Sequence, residues 1–193
     1  MKDNNKNKYP NQLCFNDWAS YNSGRLNVKW FKAGTKAADV VKFLTPRSPS
    51  HDLEIYVADT SLNWPSEIDS PPEIITENFG LDDALNILEL FDAARNDDLK
   101  AAAYLLYMGI AEEFEEALGM VDDVHIIKHN PYGHGNTWTG STPEETLGYY
   151  WAENGLIEVP DHVESYFNYK QLGRELLQDN YTYFAGDIYE YTN

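Results

Sequence analysis

The stretch LDDALNILELFDAARNDDLKAAAYLLYMGIAEEFEEALGM, residues 81–120, is helical by period, and the segments on either side of it are not. Leu81, Leu85, Leu88 and Phe91 fall at i, i+4, i+7 and i+10 on one apolar stripe, while Asp82, Asp83, Glu89 and Asp92 lie off it. A second helix is expected over 97–108, opening on two carboxylates that suit the positive end of its dipole and closed by Gly109. A third is expected over 112–120. Short polar connections favour antiparallel neighbours in a small bundle.

Toward the N-terminus the pattern shortens. Residues 13–18 and 26–31 read as strands joined through a turn-rich 20–24, a helix follows over 36–44 with Pro46 stopping it, and 53–57 is a third strand. The segment 60–72, with its prolines, is expected to be a loop. Toward the C-terminus, 124–128 alternates like a strand and leads into a Gly- and Asn-rich loop. Ser141-Thr142-Pro143-Glu144-Glu145 then supplies an N-cap, a Pro at the first helical position and a Glu three residues past Thr142, predicting a helix to 154 ended by Gly155. Pro160-Asp161 starts a short helical turn, Asn168 caps a helix over 169–177, and 181–185 with 188–191 form a hairpin around Gly186-Asp187. Strands and helices are segregated, so the fold class is α+β. The expected organisation is a flexible tail (1–12) and three small subdomains: a small antiparallel sheet plus helix (13–75), a helical bundle (76–121), and helices plus a hairpin (122–193).

A chain of 193 residues with 42% hydrophobic and 14% aromatic residues can bury a substantial core. No apolar run approaches the roughly 18 residues needed to cross a bilayer, and the N-terminal residues are not of the signal-peptide kind, so a cytoplasmic location is expected. The lone Cys14 stands in Leu-Cys-Phe and is expected to pack as a small hydrophobe in a strand.

Charge is the outstanding compositional feature. The formal net charge is −18, yet residues 1–50 carry nine basic and three acidic side chains, about +6, which leaves about −24 for residues 51–193. Across that acidic remainder the basic side chains are Arg95, Lys100, Lys128, Lys170 and Arg174, so ion pairing does not account for its carboxylates. Glu112, Glu113, Glu115 and Glu116 include i, i+3 and i, i+4 pairs, where like charges on one helix each cost roughly 0.2–0.5 kcal/mol. Such a surface either keeps a protein soluble or faces a cationic partner. B-DNA carries one charge per roughly 1.7 Å of axis, so a homodimer of net charge about −36, twice −18, matches roughly 60 Å of duplex.

Sequence motifs for chemistry are sparse. There is no GxxxxGK[ST] loop, GxGxxG turn, GxSxG elbow or DxDxDG calcium loop. His125, His129 and His134 lie close together, but the strand-like alternation around His125 and the Asn130-Pro131 break argue against a zinc pair on one helix face, and no HExxH or further Cys completes a site. No catalytic residue, metal or cofactor is expected, although a metal-dependent hydrolase on these three histidines is the enzymatic alternative.

GYYWAENGLIEVPDHVESYFNYKQLGRELL, residues 148–177, resembles the C-terminal segment of ArdA-type antirestriction proteins through Tyr150, Gly155, Val159, Pro160, Tyr166, Phe167, Tyr169, Gly173, Arg174, Glu175 and Leu176. Tyr21-Asn22-Ser23-Gly24-Arg25-Leu26 followed by Trp30-Phe31 is similar to the family's opening strand pair. The resemblance runs in order through most of 13–193 and is weak between about 96 and 146. It implies an elongated, three-part homodimer, carried by mobile genetic elements, whose acidic surface imitates bent duplex DNA and occupies the DNA site of type I restriction-modification enzymes. It further implies a protein that performs no chemistry, takes no cofactor, binds no nucleic acid directly and acts in the bacterial host's cytoplasm. On this reading the carboxylates that meet the modification and specificity subunits are Asp82, Asp83, Glu89, Asp92, Glu112, Glu113, Glu115, Glu116, Asp122, Asp123, Glu144, Glu145, Glu153, Glu158, Asp161, Glu164 and Glu175. The antirestriction motif, which in the family also lies at the dimer contact, corresponds to Leu156, Val159, Pro160, Tyr166, Phe167 and Tyr169; aromatics at such spacings also build cores. The alternative function is an acidic interaction protein that sequesters another basic DNA-binding partner. One departure stands out: Arg25, Lys29, Lys32, Lys36, Lys42 and Arg47 make the first block basic where the family tends to be acidic.

Overall fold

The computed structural model describes residues 9–129 and 142–192. Most of the expected tail, His134 and Ser141 lie outside the described residues, as does most of the Gly- and Asn-rich loop. The described chain has seven α-helices and two three-stranded antiparallel sheets, an α+β fold. No helix among the described residues is long and apolar enough to cross a membrane.

The first sheet has the order β2–β1–β3, with β1 (Gln12–Asp17) between β2 (Lys29–Lys32) and β3 (Ile55–Ser61). Leu13 and Phe15 are fully buried, as their alternation in β1 requires. Cys14 is also buried, facing Asp59 across the ladder, and burial followed by that carboxylate pushes its thiol pKa up. Three expectations fail locally. The strand expected over 26–31 begins only at Lys29. β3 runs on to Ser61, because Asp59, Thr60 and Ser61 pair with Cys14, Leu13 and Gln12 beyond a bulge. These paired residues are polar, so no hydrophobic alternation announces the extension. The first part of the turn expected at 20–24 is taken up by a short helix, α1 (Trp18–Asn22), whose first turn is capped by Asp17 accepting from the Ser20 N–H at 3.0 Å.

Asp17 is the polar centre of this block. It is fully buried, and besides the Ser20 amide it accepts from Ser48 Oγ at 2.8 Å and Asn27 Nδ2 at 3.0 Å. The Asn27 amide also donates to the Leu44 carbonyl at the end of α2 (Ala37–Leu44), joining strand, turn and helix. α2 passes into a 3-10 turn over Thr45–Arg47 that accommodates Pro46 at its start. Burial pushes the Asp17 carboxyl up, but the hydrogen bonds from Ser20, Ser48 and Asn27 outweigh it and hold its pKa below the ordinary 3.8. Because the folded value is the lower one, this stabilisation is fully present above the ordinary value and is lost as pH falls through the folded value. Asp17→Ala is expected to cost about 2–4 kcal/mol in urea denaturation at neutral pH, and the loss should shrink as wild type is titrated into acid.

The helical region matches its period. α3 (Leu81–Ala93) buries Ala84, Leu85, Ile87, Leu88 and Phe91 and leaves Leu81 half-buried, while Asp82, Asp83, Glu89 and Asp92 face solvent. α4 (Asn96–Tyr107) is buried over Leu99–Leu105, and Arg95 at its start donates to the Asp98 carboxylate at 2.7 and 2.8 Å. α5 (Phe114–Gly119) is shorter than expected. Glu112 stands before the helix, and its backbone N–H donates to Glu116 Oε2 at 2.8 Å. Glu115 and Glu116 sit in the first turn, at the positive end of the helix. The positive end of the helix partly offsets the like-charge repulsion expected there.

One apolar cluster includes Leu13, Phe15, Val40 and Leu44 from the first block with Leu88, Phe91, Leu105 and Phe114, crossing the 75/76 boundary, and it reaches Tyr189. Trp64 stacks edge-on against Phe91 at 4.9 Å within it. Residues of the last block add a smaller cluster of Ile127, Leu147, Tyr181 and Ile188. This second cluster lies at a sheet of order β4–β6–β5, formed by β4 (Val124–Ile127), β5 (Tyr181–Phe184) and β6 (Asp187–Tyr191). The hairpin turn is Ala185-Gly186, with φ +45° and +84°, one residue earlier than expected; a two-residue turn with both φ positive matches the strand twist.

α6 (Pro143–Glu153) and α7 (Tyr169–Leu176) begin with the expected caps: Thr142 Oγ1 accepts from Glu145 N–H, and Asn168 Oδ1 from Gln171 N–H. The turn expected at Pro160-Asp161 forms, with the Val163 N–H donating to the Pro160 carbonyl at 2.9 Å, and a 3-10 turn at Glu164–Tyr166 follows it. α6 and α7 cross backbone to backbone at two glycines. A Cβ on Gly148 would stand 2.7 Å from the carbonyl carbon of Tyr169, and one on Gly173 would stand 2.6 Å from that of Glu144.

Candidate functional site

The carboxylates singled out from the sequence occupy the polar sides of α3, α5, α6 and α7 and the turns between elements. All are exposed except Asp123, Glu144 and Glu145, which are half-buried. Three of the five cations of residues 51–193 pair elsewhere. Arg95 pairs with Asp98, Lys100 with Glu67 at 2.6 Å and Asp187 at 3.9 Å, and Lys128 with Asp97 at 2.8 Å and Asp187 at 3.1 Å. Glu67, Asp97, Asp98 and Asp187 all lie outside the singled-out set. Leaving Glu145 aside, none of that set forms an ion pair among the described residues. Their hydrogen bonds come from uncharged donors: Asp92 accepts from Asn11, 81 residues earlier, while Glu116 accepts from Glu112 N–H and Glu175 from Gln171 within one helical turn.

Glu144 is the most constrained member. The Thr142 hydroxyl, then its own backbone amide at the start of α6, hold its pKa below the ordinary range against a smaller effect of burial. Lys170 and Arg174 on α7 add attraction without closing an ion pair. These are short-range effects at one helix start. The other exposed carboxylates depend on solvent and salt to screen one another.

The motif residues divide in two. Tyr169 stacks on Tyr149 at 4.3 Å and meets Phe167 edge-on at 5.0 Å, so these aromatics pack within the chain while remaining half-buried. Tyr166 is 86% exposed and Leu156 51% exposed, with Pro160 also exposed and Val159 half-buried. Large side chains turned to solvent, as Tyr166 and Leu156 are, have the composition of an association surface.

The basic first block is not neutralised internally. Arg25, Lys29, Lys32, Lys36, Lys42 and Arg47 are all exposed, and none forms an ion pair among the described residues. Two of them rest on aromatic rings. Lys29 Nζ lies 5.1 Å from the centroids of both Phe31 and Phe43, and the Arg47 guanidinium lies 4.2 Å from Phe43 while donating to its carbonyl at 2.7 Å.

The histidines are engaged separately. His125 Nε2 is 3.0 Å from the Tyr150 hydroxyl, whereas His129 Nδ1 is 2.7 Å from Thr146 Oγ1 and its backbone N–H donates to Asp187. Burial pushes the His129 pKa down against the pull of Asp187 and Glu144. No group of three potential metal ligands occurs among the described residues, and His134 lies outside them.

Sequence reasoning passed over Glu73. Its own segment carries no periodic signal, and only the fold brings it beside Asp83, Glu112, Glu113 and Glu115 around a hollow floored by Ile74, Ile87 and Phe114. The preceding Pro71-Pro72 pair and the buried Ile74-Ile75 that follow Glu73 are the local hint that this segment is pinned against the helices.

The sequence model of a protein family described as antirestriction protein (ArdA) matches residues 14–191. No curated protein matches the chain.

Proposed function

The chain belongs to the ArdA family of antirestriction proteins, and from that premise we propose that it acts as an acidic mimic of duplex DNA in the DNA groove of type I restriction-modification enzymes. The carboxylates of α3, α5, α6 and the turns that follow replace phosphates against cationic side chains of the modification and specificity subunits. The observation that carries this reading is the division of labour among carboxylates: those with cationic partners lie outside the singled-out set, and, with Glu145 left aside, the exposed set has none. Side chains left unpaired in this way retain their full charge for a partner.

The three-part organisation and the homodimer belong to the same proposal. Leu156, Val159, Pro160, Tyr166, Phe167 and Tyr169 form the contact between copies, with exposed Tyr166 and Leu156 supplying its apolar area. The protein works in the bacterial cytoplasm, where such enzymes and DNA meet.

Purified protein is expected to displace a labelled duplex from a type I methyltransferase at low salt, with the effect falling as salt rises. No displacement at low salt would overturn the proposal. Retention of an unrelated basic DNA-binding protein from lysate, without any restriction subunit, would favour sequestration instead.

A further inference from the structure

Between α3, the start of α5 and the segment 72–79 lies a hollow of about 460 Å³. Its floor is apolar: Ile74 is 8% exposed, Ile87 7% and Phe114 3%. Its rim carries Glu73, Asp83, Glu112, Glu113 and Glu115, all exposed, and no cationic side chain among the described residues lines it. None of these five carboxylates forms an ion pair among the described residues.

A smooth array of phosphate-like charges needs no such hollow. A small inorganic cation would answer the rim but leave the apolar floor against water. A neutral apolar group would cover the floor and leave the rim repelling itself. An aliphatic stem with a cationic head satisfies both at once, since basic side chains bury their methylenes on apolar surface and keep the charge at the edge. Between the two basic side chains, guanidinium is the more weakly hydrated and presents several donors in a plane, so that it can engage more than one rim carboxylate. We propose that this hollow is a binding site for a single arginine side chain of the protein partner, an anchor within the acidic face. The proposal rests on the reading of that face as a surface for a cationic protein. It adds that part of the affinity is concentrated at one place, as interface anchors seated in pockets are.

The test begins without any restriction enzyme. N-acetyl-arginine-N-methylamide is titrated into the whole protein carrying labelled isoleucine methyl groups, with sodium chloride at matched ionic strength as the control. Saturable shifts of the Ile74 and Ile87 methyls, with Ile188 unmoved, are expected, and Asn86→Trp should abolish them. Asn86 is exposed at the edge of the hollow, so the larger ring fills it while the net charge stays the same. Glu112→Gln with Glu113→Gln provides a second variant that weakens the shifts without filling the space. Shifts no larger than those from salt would overturn the proposal. With the target enzyme, Asn86→Trp should weaken displacement of DNA by about tenfold, as expected for loss of one interface anchor. Displacement unchanged in that variant would overturn the anchor and leave DNA mimicry standing. Failure of the wild type to displace DNA, with the arginine titration still saturable, would overturn the mimicry and leave the site standing.

Discussion

Alanine in place of Gly173 is expected to separate α6 from α7 and to cost at least the upper end of the roughly 1–3 kcal/mol typical of overpacking. The added methyl would stand 2.6 Å from the Glu144 carbonyl carbon. That obstacle is backbone in the first turn of a helix, not the end of a flexible side chain, so no rotamer change removes it. Gly148→Ala meets the Tyr169 backbone in the same way from the other helix. One outward movement of α7 would relieve both clashes, so the double variant should cost less than the sum of the singles. Gly119→Ala is the control: a Cβ there meets nothing within 4 Å, and its helical position favours alanine. Urea denaturation of the four variants checks the set. If Gly173→Ala unfolded with the wild type, the backbone crossing would be wrong.

Reversing Glu89, Glu113, Glu158 and Glu164 to lysine is expected to weaken displacement of DNA from the target enzyme by about a hundredfold or more at low salt. Four reversals of two charges each take the formal net charge from −18 to −10. All four side chains are exposed and none is in an ion pair among the described residues, so the native fold loses little when they change. Relief of self-repulsion should leave the melting temperature unchanged or slightly raised. Function and stability therefore move apart, which separates a loss of recognition from a loss of folding. Single neutralisations should each change displacement by less than about threefold, because the field is shared. A quadruple variant that inhibits like wild type would sink the carboxylate reading.

Local chemistry was legible where it is local. The caps at Thr142 and Asn168, the apolar stripe of α3 and the hairpin of β5 and β6 follow from adjacent residues. The ends of β3 and α5 do not. β3 is prolonged by ladder bonds to a strand more than forty residues earlier, and α5 is shortened by the Glu112–Glu116 contact. Gly173 belonged to a recognisable Gly-Arg-Glu-Leu run, but the reason for its lack of a side chain is the Glu144 backbone on another helix. The candidate site divides similarly. A shortage of cations after residue 50 foretold unpaired carboxylates, and helical period foretold which ones face outward. Pro71-Pro72 and Ile74-Ile75 hint that the segment around Glu73 is pinned, but they do not foretell the hollow, because its floor and rim come from separate parts of the chain.

The unpaired cations of the first block bear on kinetics more than on affinity. A molecule that sums to about +6 over its first fifty residues and about −24 over the rest experiences a torque in the field of a cationic surface, beyond simple attraction. If the partner is the cationic groove proposed above, the acid-rich part would be drawn inward and the lysines around Phe43 turned away. Collisions would then be sorted by orientation before side chains touch, with the basic block as the repelled end of a compass needle.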